Sequence, residues 1–190
     1  MSDTSFEVAP FDSYAERITT GIALLGGIMM LPALFWFLSD LRFGGVLVPV
    51  AIAITLALWL ALNYAIQPIS YEIELAQDRL VVKRRWLRNV RIPMEEITGV
   101  SVASALADVP RSGLRQALNV GVFGYHGQFQ LEVYGAAFFA ATNRERLVAI
   151  ARMGYPSVIV SPARPRDFVE ALREALIKRT EVGLESVNET

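Results

Sequence analysis

The chain carries two apolar stretches that decide its architecture, ITTGIALLGGIMMLPALFWFL at residues 18–38 and VLVPVAIAITLALWLALNYAI at residues 46–66. Each is 21 residues long and contains no Asp, Glu, Lys, Arg or His. At about 1.5 Å of rise per residue, a helix of this length spans roughly 32 Å, close to the ~30 Å hydrocarbon thickness of a bilayer. Only seven residues, 39–45, separate the two stretches. The pattern therefore predicts a helical hairpin, residues 18–66, that crosses a membrane twice.

Two other interpretations of these stretches fit the sequence less well. Buried helices of soluble proteins seldom run for 18 or more uncharged apolar residues. A cleaved signal peptide begins with a basic segment, whereas residues 1–17 contain four acidic side chains and one basic residue, Arg17. No small-residue cleavage site follows the first stretch, so we expect both stretches to stay in the membrane.

Outside the hairpin the composition resembles that of a soluble domain, and it excludes several classes of function. The 190 residues have a net charge of -1, which gives no electrostatic support for binding nucleic acid. The chain has no cysteine, so it cannot form disulfides, thiol nucleophiles or thiolate metal sites. Its single histidine, His126, excludes a multi-histidine metal site. We therefore expect no metal and no cofactor.

Basic residues indicate the orientation of the hairpin. The connection at 39–45 contains one cation, Arg42, whereas the 25 residues after the second stretch contain six. Because Lys and Arg are retained on the cytoplasmic side, both termini are predicted to be cytoplasmic, with the protein in the inner or plasma membrane. The six cations are Arg79, Lys83, Arg84, Arg85, Arg88 and Arg91.

Small residues recur every four positions in both stretches. Thr19, Ala23 and Gly27 form one such stripe, and Ala53, Ala57 and Ala61 form the other. Small residues at this spacing allow two helix backbones to approach closely in lipid. We therefore predict that the two stripes face each other.

Beyond the second stretch the spacing of apolar residues changes from the helical period to alternation. In YEIEL, residues 71–75, apolar side chains alternate with glutamates, as in a half-buried strand. A two-residue turn at Gln77-Asp78 would pair Ile73 with Val82 and place apolar side chains opposite one another. The pattern predicts a β-hairpin directly after the membrane.

Further short strands and one amphipathic helix follow this hairpin. The helix begins at Pro165 and places Phe168, Leu172 and Leu176 on one face. Residues 1–13 show no clear periodicity, and we expect them to be irregular, with Phe6 and Phe11 at the headgroups. The predicted strands are 90–92, 97–103, 128–134, 137–142, 146–152 and 157–161, with a turn or single helical turn at 93–96 and a long excursion at 106–119. The predicted divisions are a leader at 1–17, the hairpin at 18–66, a domain at 69–179 and a flexible tail at 180–190.

Seven or eight antiparallel strands followed by one amphipathic helix resemble a pleckstrin-homology-like (PH-like) barrel or sandwich capped by a C-terminal helix. The details are similar to one family, the bacterial PH domain proteins with two N-terminal transmembrane helices. The resemblance implies a membrane-anchored α+β protein and covers about residues 69–178, but it implies no functional residues. It is carried by WLRNVRIPMEEIT at 86–98, GVFGYHG at 121–127, FAATN at 139–143 and VIVSP at 158–162.

The densest basic cluster, KRRWLR at 83–88, lies where the β-hairpin returns toward the membrane. Cations held near an anionic membrane surface contribute about 1 kcal/mol each. The simpler interpretation, which we favour, is that the charges set topology and solvate a sheet face; both can hold together. The candidate lipid-facing residues are Lys83, Arg84, Arg85, Trp86 and Arg88.

Aromatic residues are dense between 123 and 139. Strand alternation predicts that about half of them fill the interior. The others would form an exposed patch of the kind that marks a partner site. The candidate partner contacts are Phe123, Tyr125 and Phe129.

Two features of the 121–127 segment suggest chemistry without supporting it. Its glycines are followed by neither a Lys-Ser/Thr pair nor a helix, so they predict a connection that needs positive φ or close backbone approach and not a phosphate site. His126 has no evident nucleophile or orienting carboxylate nearby in sequence, and we predict a surface or turn histidine.

The sequence favours a non-enzymatic module over an enzyme. The leading hypothesis is a membrane-anchored PH-like domain at the cytoplasmic face that binds a protein or peptide partner or self-associates. The alternative is recognition of anionic lipid headgroups by the basic hairpin. An enzyme or transporter is a third hypothesis, which no catalytic constellation or intramembrane charge supports.

Overall fold

The computed structural model describes residues 4–39, 46–103, 121–131 and 135–188. Most of the connection between the apolar stretches, and the excursion predicted at 106–119, lie outside these residues. The elements, in chain order, are β1 (Thr4–Glu7), α1 (Ser13–Ser39), α2 (Leu47–Ile66), β2 (Pro68–Glu74), β3 (Arg79–Arg84), β4 (Val90–Pro93), β5 (Ile97–Val102), β6 (Tyr125–Leu131), β7 (Gly135–Ala141), β8 (Val148–Arg152), β9 (Ser157–Val160) and α3 (Pro165–Asn188).

The helices α1 and α2 coincide with the two apolar stretches. Ser13–Phe35 and Leu47–Ile66 are each long and apolar enough to cross a membrane. Large apolar side chains on both helices point outward; Leu24 is 62% exposed and Leu58 is 67% exposed. Outward-facing apolar side chains suit a lipid environment better than an aqueous one.

The two helices pack together, but not through the predicted stripes of small residues. Ala53 is buried as expected, whereas Ala57 is exposed and a Cβ added at Gly27 would meet nothing within 4 Å. The close approach is at Gly26, whose Cβ position lies 3.9 Å from the Cβ of Leu56. The stripe prediction was wrong because Gly26 and Gly27 are adjacent, and the four-residue spacing alone does not tell which of them faces the other helix.

Within the described residues the strands form two sheets that do not close into a barrel. The first has the order β1-β2-β3-β4 and is antiparallel throughout. The second has the order β5-β8-β9-β7-β6, and its β7 and β9 run parallel. The α+β class and the C-terminal helix are confirmed. Among the described residues, eight strands, β2–β9, fall within the domain, as predicted, and β1 is an additional strand from before the helices. The all-antiparallel arrangement was wrong, because a parallel pair does not show in local periodicity.

The N-terminal segment is a strand, and the expectation that it is irregular was wrong. β1 pairs with β2, with Phe6 opposite Tyr71. The Phe6 side chain is buried in the core, 5.2 Å from the ring of Phe168, and does not reach the headgroups. The strand is only four residues long, which is too short for alternation to identify it.

The β2–β3 hairpin forms with a register two residues away from the predicted one. Leu75–Gln77 makes a single 3₁₀ turn and Asp78 adopts a left-handed conformation with φ of 47°, so the connection is longer than two residues. Ile73 therefore faces Leu80 and not Val82. Because side chains alternate with a period of two, this shift leaves the predicted core face unchanged.

The helix α3 packs into the core with the predicted face. Phe168 and Leu172 are fully buried and Leu176 is partly buried against the same cluster. That cluster includes residues from both sheets, among them Tyr71 and Val160. The helix continues to Asn188, so most of the segment 180–190 that we predicted to be a flexible tail belongs to this helix.

Replacing Phe6 by Ala should destabilise the domain by about 3 kcal/mol, because it removes a large buried side chain and leaves a cavity beside Phe168. Thermal unfolding of the full chain in detergent would measure the loss. The matched control is Ser5→Ala on the same strand, where an exposed side chain changes and stability should stay within about 0.5 kcal/mol. Equal stability of the two variants would contradict the placement of β1 in the core.

Candidate functional site

Where the helical hairpin meets the sheets, several side chains make contacts between distant parts of the described chain. We call this region the junction. It comprises Asp12, Thr19, Tyr64, Trp86, Gly121, Phe123, Tyr125 and Arg144.

Asp12 lies at the start of α1 and is only 4% exposed. Its Oδ1 accepts hydrogen bonds from the backbone N–H groups of Tyr14 and Ala15, at 3.0 and 2.9 Å. These bonds satisfy two of the amide donors that a helix leaves unpaired at its N-terminus. Asp12 is therefore the N-cap of the first apolar helix.

The same carboxylate also binds the sheets. The Tyr125 hydroxyl donates to Asp12 Oδ2 at 2.9 Å, and the Arg144 backbone N–H donates to that oxygen at 3.0 Å. Burial and the neighbouring Asp12 charge both raise the pKa of Tyr125, so this hydroxyl stays a donor at physiological pH. One side chain thus links α1 to β6 and to the β7–β8 connection.

A second link joins α1 to the glycine-rich segment. The Thr19 hydroxyl accepts from Phe123 N at 2.9 Å and donates to Gly121 O at 3.3 Å. Gly121 has φ of 99°, and a Cβ there would come within 2.9 Å of the Tyr14 ring. The prediction that these glycines provide positive φ and close approach is confirmed, since φ is also positive at Gly124 and Gly127.

Aromatic rings from both sides close the junction around the end of α2. The ring of Tyr64 lies 5.3 Å from that of Phe123 and 5.4 Å from that of Trp86. The Arg85 guanidinium stacks 4.3 Å from the centre of the Tyr64 ring. Phe11 contacts the other side of Phe123, with 6.2 Å between ring centres.

The loop between β3 and β4, residues 85–89, also caps the last turn of α2. Trp86 N and Leu87 N both donate to Ala65 O, at 3.2 and 3.3 Å, and Arg85 N donates to Gln67 O at 3.1 Å. The last carbonyls of a helix have no partner within it, so these bonds stabilise the helix end. The loop is therefore level with the end of the second apolar helix.

The basic cluster splits into two groups of different environment. Lys83 forms an ion pair with Glu72 at 2.7 Å, and Arg84 is half-buried with its guanidinium 5.8 Å from the ring of Phe138. Burial lowers the pKa of Arg84. Arg85 and Arg88 are exposed, as is the intervening Trp86. Of the five candidate lipid-facing residues, Arg85, Trp86 and Arg88 are therefore the ones with exposed side chains.

The three predicted partner contacts differ in how far they are buried. Tyr125 and Phe129 are buried inside the domain, so a partner cannot reach them. Phe123 is half-buried and is covered on two sides by Tyr64 and Phe11. Strand alternation could not show which of these rings point inward, because the segment before them has no strand pattern from which to count.

His126 is buried within strand β6, and the prediction of a surface or turn histidine was wrong. Its Nε2 lies 3.0 Å from Phe123 O, which requires the tautomer that donates from this nitrogen. Burial lowers the pKa of His126 to about 4, although the bond to Phe123 opposes the shift. The imidazole is therefore neutral at physiological pH and holds the Gly121–Gly124 bend.

Reasoning from sequence missed Asp12, Thr19 and Arg144 as members of the junction. Asp12 had a usable signal, since an aspartate directly before an apolar helical run is a common N-cap. Thr19 was assigned to a helix-packing stripe, whereas its hydroxyl binds the domain. Arg144 acts mainly through its backbone N–H, which no side-chain pattern predicts.

The contacts of the junction couple the helices to the sheets. No group of three or more His, Cys, Asp or Glu side chains suited to a metal occurs among the residues that the structure describes. Glu95 and Glu96, adjacent in sequence, differ in surroundings, since Glu96 pairs with Arg152 and Glu95 is exposed.

Comparison with known families agrees with this architecture. Residues 71–176 match the family described as Bacterial PH domain. The match covers more than half of the chain, and the protein belongs to the bacterial PH domain family. No curated protein matches the chain. The protein is thus a PH-like module associated with two helices able to span a membrane, in a family that is generally non-catalytic.

Replacing Asp12 by Ala should destabilise the protein by more than about 2 kcal/mol, because it removes a helix cap and leaves the Tyr125 hydroxyl buried without its acceptor. Tyr125→Phe should cost about 1 kcal/mol. The double variant should be less destabilised than the sum of the two, as expected for groups in one network. Thermal unfolding of all four proteins tests this, and strictly additive effects would argue against the bond.

The low pKa of His126 makes stability depend on pH. The unfolded chain binds a proton near pH 6.5 and the folded chain only near pH 4, so stability should fall as pH decreases through this interval. The shift corresponds to about 3 kcal/mol when complete. His126→Gln keeps a donor without this titration, so the stability of the natural protein relative to the variant should decrease progressively as pH falls below 6.5. Parallel pH profiles for the two proteins would contradict the prediction, because they would show that folding does not lower the pKa of His126.

Proposed function

We propose that the protein is a two-pass membrane protein whose PH-like domain acts on the cytoplasmic face as a non-enzymatic binding and scaffolding module. It would engage a protein or peptide partner, or a second copy of itself. The observation that carries the proposal is the junction, which fixes the domain to both helices and so holds its remaining surface at a constant height and angle.

The pairing of β1 with β2 supports the proposed topology. β1 precedes the helical hairpin and β2 follows it, so both flanking segments lie on one side. Backbone bonds from Ala9 N to Ser161 O and from Ala163 N to Glu7 O extend this attachment, each at 2.8 Å. The excess of Lys and Arg after α2 favours the cytoplasm as that side.

Candidate partner surfaces lie away from the junction. A groove of about 460 Å³ runs beside β5 and α3. Its exposed apolar side chains are Val102 and Ile177. The β8–β9 turn carries two more, Met153 and Tyr155, at the end of the domain opposite the junction. Exposed apolar side chains of this kind often contribute to protein interfaces.

A photoreactive residue at Tyr155 or Ile177, in cells producing the full chain, tests the proposal. We expect one dominant crosslinked protein, or a crosslinked second copy, from at least one of these positions. Arg88 serves as the control position because it lies at the membrane side of the domain. Absence of any protein adduct from Tyr155 and Ile177, with the protein intact, would count against a binding module.

Recognition of anionic lipid is a second candidate function, favoured by the exposure of Arg85 and Arg88 beside the end of α2. Lys83 and Arg84 contribute less to it because their charges are already paired or half-buried. This function predicts that the 85–89 loop contacts vesicles only when they contain anionic lipid. The contact should weaken when salt is added, and it should weaken in the double variant Arg85→Ala/Arg88→Ala. Contact that is indifferent to all three would exclude it.

A further inference from the structure

The 85–89 loop presents large apolar side chains to the outside at the level of the membrane. Trp86 is 72% exposed and Leu87 is 40% exposed. Ile69, at the start of β2, is 44% exposed. Large apolar side chains gathered on one exposed edge of a domain indicate a contact surface.

The backbone of the loop is held directly against the second apolar helix. Both Trp86 N and Leu87 N donate to Ala65 O, one residue before the end of α2. The exposed apolar side chains are therefore continuous with the exposed apolar surface of α2, where Leu62 is 54% exposed. Whatever surrounds the end of this helix also meets the loop.

The loop is preorganised and does not need to fold upon contact. The Asn89 side chain accepts a hydrogen bond from Arg84 N at 3.1 Å and so closes the loop on itself. Trp86 packs edge-on against Tyr64, and Arg85 stacks on the same ring. Fixing the exposed side chains in advance reduces the entropy lost on contact.

The chemistry of the loop suits the boundary between headgroups and acyl chains. Tryptophan is enriched at that depth because its ring is apolar and its N–H is polar. Arg85 and Arg88 flank the apolar pair, and long basic side chains can keep their charge at the headgroups while their stems lie deeper. Water is the less favourable surrounding for Trp86 and Leu87.

We propose that the 85–89 loop is an interfacial wedge, in which Trp86 and Leu87 insert into the bilayer that holds α2 and fix the tilt of the domain. This rests on the proposed membrane-spanning hairpin. The occupant is lipid of the same leaflet, argued from continuity with the α2 surface. Insertion of apolar side chains requires no particular headgroup charge, which distinguishes the wedge from recognition of anionic lipid.

Tryptophan quenching in the full chain tests the wedge. The chain has three tryptophans, Trp36, Trp59 and Trp86, so single-tryptophan proteins are made by Phe substitution and reconstituted in neutral phosphatidylcholine vesicles. The lipids carry bromine either near the headgroup or near the chain ends. Emission from Trp86 should be quenched strongly by shallow bromine and weakly by deep bromine.

Two reference proteins keep the result interpretable. Trp59 lies inside α2 and reports whether the hairpin is in the bilayer. Tyr155→Trp, in a chain lacking the three natural tryptophans, reports an exposed ring away from the membrane and should show no quenching. Trp86 behaving like Tyr155→Trp while Trp59 is quenched overturns the wedge alone. Unquenched Trp59 overturns the membrane-spanning hairpin and the wedge together.

A variant and a change of lipid complete the test. In the protein whose single tryptophan is Trp86, the substitution Leu87→Asp should remove most of the quenching, because a carboxylate is expelled from the acyl chains. Met153→Asp, an exposed change at the opposite end, should leave it unchanged. Quenching of Trp86 that appears only after phosphatidylglycerol is added would overturn the wedge in favour of recognition of headgroup charge.

Discussion

The carboxylate of Asp12 is the constraint on which the rest of the structure depends. It accepts bonds from the first turn of α1, from Tyr125 in β6 and from the backbone at Arg144. A buried charge is costly unless its oxygens are fully hydrogen-bonded, so the helix and the sheets must keep one relative position. Thr19 and Tyr64 reinforce that position from either helix. The domain and the hairpin therefore behave as one structural unit, although the family match covers only the domain.

Fixed attachment distinguishes this module from a PH-like domain at the end of a flexible linker. Only Gln67 separates α2 from β2, and the 85–89 loop returns to bind the same helix end. In the proposed function, the surface at this helix end faces lipid and the helices. The proposed partner surfaces, the β5–α3 groove and the β8–β9 turn, would then be presented repeatedly in the same orientation.

Patterns that extend over many residues predicted the two long apolar helices, the β-hairpin and the buried face of α3. The register of the hairpin did not follow, since it depends on the turn at Asp78 and turn length is only weakly encoded. β1 was missed because four residues carry too little alternation. The junction was missed for a different reason: the hydrogen bonds of Asp12 and Thr19 to the sheets join residues more than a hundred positions apart, and a bond such as Phe123 N to the Thr19 hydroxyl leaves no local pattern.

The position of β1 ahead of the helical hairpin has a consequence for biosynthesis. During translation β1 emerges first, yet β2 appears only after both helices have been made. In the proposed two-pass topology, the two strands can meet only if the hairpin has returned the chain to the starting side of the membrane. A chain with one helix left uninserted would keep Phe6 out of the core and leave the edge of β2 open, a state prone to aggregation and proteolysis. In that topology, completion of the first sheet would act as a check on correct membrane insertion.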